Sequence, residues 1–88
     1  MLWEAKTEEK FKRLISRIPV FHRRITESVV IGQAQNNALL RKSTQVEEQD
    51  VIAAFFSDVP SPFYSMMVRL LEQNGFDYKK YGFPKVQS

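Results

Sequence analysis

Cysteine is absent from the sequence, which removes disulfides, thiolate metal sites and cysteine nucleophiles together. There is a single histidine, His22, followed by Arg23 and Arg24. A catalytic base needs an orienting partner and a nucleophile or substrate pocket, and no Gly-x-Ser-x-Gly, paired-histidine or glycine-rich phosphate loop supplies one. His22 therefore reads as a surface or interface residue, and the chain as a non-enzyme. Glu47, Glu48 and Asp50 lack the alternating oxygens and central glycine of a calcium loop, so no metal and no cofactor is expected. Long apolar runs are missing too. Val29–Ile31 and Val51–Phe56 are too short to cross a bilayer, and the opening Met1–Lys6 has no apolar signal core. The expectation is a soluble, cytoplasmic protein with no membrane partner.

What is present suits one small domain. Apolar residues make up 43% of the 88 and charged residues 26%, near globular averages, which argues against wholesale disorder. The charge is polarised. Residues 1–42 carry nine Lys/Arg against four Asp/Glu, residues 43–78 one Arg against six acids, and the last ten residues add three lysines.

Apolar spacing predicts four main helices. Phe11, Leu14, Ile15 and Ile18 form one helical stripe over about Thr7–Arg17, with Thr7 as N-cap. Ile18-Pro19 ends that helix and starts a longer one reaching about Arg41, on the order of 30–35 Å at 1.5 Å per residue. Its core stripe is expected to be Phe21, Ile25, Val29, Gly32, Asn36 and Leu39 or Leu40, with Gly32 marking close approach of a neighbouring helix. Lys42–Val46 reads as an extended connection. Glu47 and Glu48 open a third helix with Val51, Ile52, Phe55 and Phe56 buried, and Asp58-Val59-Pro60 stops it. Ser61-Pro62 restarts a fourth, carrying Phe63, Met66, Met67, Leu70 and Leu71 and closed by Asn74-Gly75. Asp77–Tyr81 reads as one more turn. No sustained alternation points to a sheet. The fold expected is all-α, four helices around the long second one, with residues 1–81 as the domain and 82–88 as a frayed tail.

Two surfaces are candidate binding sites. Lys10, Lys12, Arg13, Arg17, Arg23 and Arg24 form a basic cluster able to track phosphates, or else a solvated face partly paired with the acidic half. Trp3, Phe76, Tyr78, Tyr81 and Phe83 are candidate partner-docking aromatics, or else the cap of a small core. Base-stacking aromatics interleaved with the cations are missing, which ranks a protein partner ahead of a nucleic acid.

The stretch Ile18-Pro19-Val20-Phe21-His22-Arg23-Arg24, the long helix after it, and Val46–Ala54 resemble the small C-terminal domain of the B subunit of light-independent protochlorophyllide reductase and its single-domain relatives. Trp3 and Ala5 are similar to its opening, so the resemblance covers about residues 3–56. The same order, a short helix, a long one, a brief loop and a helix beginning near Asp50-Val51-x-x-Ala54, is similar to the histone fold in architecture. The chain departs from the reductase module by adding Ser61–Tyr81, and no cluster ligand or substrate acid carries over. The resemblance implies a non-catalytic accessory role, in a redox or tetrapyrrole-related assembly. The histone-like alternative implies a basic nucleic-acid binder, as a homodimer.

Overall fold

The computed structural model describes residues 1–84. In chain order the elements are β1 (Leu2–Trp3), α1 (Ala5–Ser16), α2 (Val20–Leu40), β2 (Gln45–Val46), α3 (Glu48–Asp58), a 3₁₀ turn at Ser61–Phe63, α4 (Tyr64–Gln73) and a second 3₁₀ turn at Tyr78–Tyr81. The fold is all-α, with four helices and, among the described residues, one two-stranded ladder.

Local chemistry explains the boundaries. Pro19, with φ −51° and ψ 138°, stands outside α2 as its cap residue and separates it from α1. Arg23 bridges that junction, donating to the Ile18 carbonyl at 3.0 and 3.2 Å and to the Ser16 carbonyl at 3.0 Å, so its guanidinium satisfies acceptors left free at the end of α1. At the start of α3, the Glu47 N–H donates to Asp50 Oδ2 at 2.9 Å. Gly75, at φ +81°, closes α4, and the Phe76 N–H turns back to the Leu71 carbonyl at 2.9 Å while its ring is buried. Asp77 Oδ1 caps the final turn, accepting from the Lys80 N–H at 3.3 Å.

Three expectations need correction here. α1 begins two residues earlier than Thr7, which is a buried interior residue donating to Glu4 Oε1 at 2.6 Å instead of capping the helix. Ser61-Pro62 starts a 3₁₀ turn, with α4 following three residues later. A short parallel ladder also exists: Leu2 pairs with Gln45 and Trp3 with Val46, extended by the Glu4 N–H to the Val46 carbonyl at 2.9 Å.

The core forms where single stripes meet. Phe11, Leu14, Ile15 and Ile18 of the α1 segment face Val51, Ile52 and Phe55 of α3 and Met67, Leu70 and Leu71 of α4, and Phe76 and Tyr78 close it from below. α2 contributes Val30, Ala34 and Ala38, all fully buried. These recur every four residues and lie about half a turn around the helix from the stripe read as core. Phe21, Ile25, Val29, Leu39 and Leu40 are exposed, as are Gly32 and Asn36. A Cβ added at Gly32 would meet nothing within 4 Å, so this glycine is not made necessary by a neighbouring helix of the same chain. Small residues do line the true contact, where Ala34 and Ala38 let α2 lie close to α3.

Candidate interaction surface

α2 is apolar on two opposite sides, and only one of them is covered. The inner side carries Val30, Ala34 and Ala38. Its polar members are used internally: Asn37 Nδ2 donates to the Asp50 carbonyl at 3.0 Å, and Arg41 grips the Asp50 carboxylate with Nε at 2.8 Å and Nη2 at 2.7 Å. The outer side presents Phe21, 89% exposed, Ile25, 70%, and Leu39, 61%, with Gly32 between them. Residues 28–40 contain no charged side chain. A solvated helix face ordinarily carries charge, and depletion of charge marks the centre of interaction surfaces.

The N-terminal half of this face continues into a groove of about 180 Å³. Ile25 and Val29 of α2 form one wall, Phe63 and Met66 the other, and Leu14, Val30, Phe55 and Met67 the floor. Phe63 and Met66 were expected in the core and are exposed instead. Polar groups stand at the edge: His22, whose ring lies 6.4 Å from that of Phe63, and Asp58. The surface can exclude water from apolar side chains and read charge at its rim. Among the described residues no cluster of His, Cys, Asp or Glu is arranged to hold a metal.

The basic cluster is divided. Lys10 reaches across to the acidic half, with Nζ 2.6 Å from Glu48 Oε1, 2.9 Å from the Gly75 carbonyl and 5.8 Å from the Phe76 ring centroid. Arg23 ties α1 to α2 as described. Lys12 lies 3.8 Å from Glu8, one helical turn away. Arg13, Arg17 and Arg24 are exposed and make no ion pair among the described residues.

The aromatic candidates serve the core. Trp3 packs on Phe11 with centroids 5.2 Å apart, and Phe76 and Tyr78 are buried. The Tyr78 hydroxyl donates to Glu72, whose carboxylate together with burial raises the Tyr78 pKa above the ordinary phenol value. Tyr81 is half-buried, its ring 5.5 Å from Lys80 Nζ. Phe83, in the segment read as a tail, stacks on Phe56 at 5.1 Å, while residues 85–88 lie outside the described residues. Burial thus withdraws Phe76 and Tyr78 from any exposed docking patch.

Phe21, Ile25 and Leu39, which form this surface, have the spacing of a core stripe. The signal that finds them is the second, small-residue stripe Val30-Ala34-Ala38, which competes for the same core and wins, together with the uncharged run opposite it. In comparisons with known proteins, the chain matches no family model, no curated protein and no solved structure.

Proposed function

We propose that this chain is a non-catalytic accessory domain that works by docking protein against the outer face of α2 and its adjoining groove. One observation carries the reading: α2 is apolar on both sides but covered on one. A large apolar helix face is ordinarily covered in an assembly, because leaving it in water forgoes about 25 cal/mol for each Å² of apolar surface. The resemblance of residues 3–56 to the reductase module supports placing that assembly in redox or tetrapyrrole chemistry. The basic nucleic-acid alternative is weakened because Lys10 and Arg23 are engaged in internal bonds.

Site-specific photocrosslinking in cells tests the reading. A photoreactive residue replacing Phe21 or Leu39 is expected to capture protein, whereas the same residue replacing Arg69, exposed on α4, is expected to capture little. Equal capture from all three positions, or none from α2, would overturn it.

A further inference from the structure

We infer that the protein covering the outer face of α2 is a second copy of this chain, packed antiparallel about a two-fold axis that passes between the two helices level with their middles. The inference rests on the reading that this face is a protein-docking surface, and it goes on to name the occupant.

A two-fold contact requires a face to complement itself. The two ends of this one differ in a complementary way. At the N-terminal end, Ile25 and Val29 form one wall of a groove whose far wall is Phe63 and Met66, and the exposed Phe21 lies one turn before Ile25. At the C-terminal end, Leu39 and Leu40 project from the surface, Leu40 being 75% exposed. Phe21 and Leu39 stand equally far from residue 30, so an antiparallel crossing there sets Phe21 of one copy against Leu39 of the other. It also brings Leu40 to the mouth of the opposite groove. Near the crossing point the face carries Ser28 and Gly32. Glycine is among the poorest helix formers, and Gly32 has no packing role within one chain. In the paired arrangement it lets two backbones approach closely.

Charge and area agree. The uncharged run of residues 28–40 would lie at the centre of the contact. Beyond it, Lys42, directly after the Leu39-Leu40 end, would approach Asp58 on the opposite groove rim. Antiparallel helices also oppose their dipoles favourably. Phe21, Ile25, Leu39, Leu40, Phe63 and Met66 are 39–89% exposed. At about 150–200 Å² per large side chain they present roughly 650 Å², and the intervening polar residues bring the face near the ~800 Å² per partner of a stable interface. The molecule has the matching shape, a slab 35 × 31 × 20 Å. One such layer leaves its long helix half-covered, and two layers enclose it.

Sedimentation equilibrium of the full chain at micromolar concentrations is expected to give the mass of two chains. Gly32→Leu keeps the single-chain fold, since the added side chain enters open space, and is expected to weaken the dimer by more than about tenfold. Ile25→Asp provides a second, surface-exposed disruption, with far-UV circular dichroism confirming that both variants stay folded. The sequence has no cysteine of its own. Oxidising a mixture of Phe21→Cys and Leu39→Cys chains is therefore expected to yield the mixed disulfide, and Phe21→Cys alone to yield none. A monomeric wild type, a dimer indifferent to Gly32→Leu, or crosslinking of Phe21→Cys to itself would each overturn the proposal. If the wild type is monomeric while photoprobes at Phe21 and Leu39 capture a protein of another mass, the second copy is excluded and the docking surface stands. A monomer that captures nothing ends both.

Discussion

Asp50 ties the end of α2 to the start of α3. Its side chain is 1% exposed, accepts two bonds from Arg41 and one from the Glu47 N–H, and its carbonyl accepts from Asn37. A buried carboxylate is tolerated only when its acceptors are met, and here they are met by the C-terminal end of α2 and the first turn of α3 together. Asp50→Asn keeps the volume but loses the charge-assisted pair. Because Arg41 is a third exposed, the loss is expected at about 2 kcal/mol, below the range for a fully buried pair, and read as a lower urea midpoint with unchanged slope. The hydrogen bond from Arg41 to Asp50 raises the guanidinium pKa above its ordinary value. Tyr78 gives the accessible titration. Its folded pKa is raised, by the bond to Glu72 first and by burial next. The neutral phenol is thus favoured by folding, so its contribution is fully present below the ordinary phenol pKa and lost as pH rises through the raised one. Between neutral pH and strongly alkaline pH, Tyr78→Phe is expected to lose less stability than the wild type. An equal loss in the two would show that this hydroxyl is not linked to folding.

At the scale of the element, α1, α3 and α4 were legible because each has one apolar stripe and clear punctuation: Pro19, the acidic start at Glu47–Asp50, and Gly75. α2 was legible as a helix but not in its facing. Side-chain size misleads there, since the bulky stripe through Phe21, Ile25 and Leu39 outweighs the small one by hydrophobicity, yet close helix contact favours small residues. Nothing local tells a stripe that faces its own core from one that is left on the surface. Ala34→Leu tests the assignment directly: overpacking the α2–α3 contact is expected to cost about 1–3 kcal/mol in thermal or urea unfolding. A neutral effect would mean that this face is looser than the burial of Ala34 implies. The basic and aromatic candidate sites were read from residue type alone. Their fates were decided by partners distant in sequence, such as Glu48 for Lys10 and Phe56 for Phe83, which periodicity cannot supply.

For the molecule as a whole, the basic first half and acidic second half are joined at only a few points, chiefly Lys10 with Glu48 and Arg41 with Glu47 and Asp50. The remaining cations of α1 stay in solvent. A further long-range tie is the ladder between β1 and β2, which joins Trp3 to Val46 across the whole of α1 and α2. Pairing residues this far apart costs loop-closure entropy, so the seam is expected to close after both helices are placed. Trp3 is the single tryptophan of the chain, and it sits on Phe11 at this seam. Its indole emission is therefore a clock for the final step of folding. In stopped-flow refolding, the fluorescence change is expected to lag the far-ultraviolet helical signal. Coincident traces would instead place the seam inside the same cooperative event as the helices.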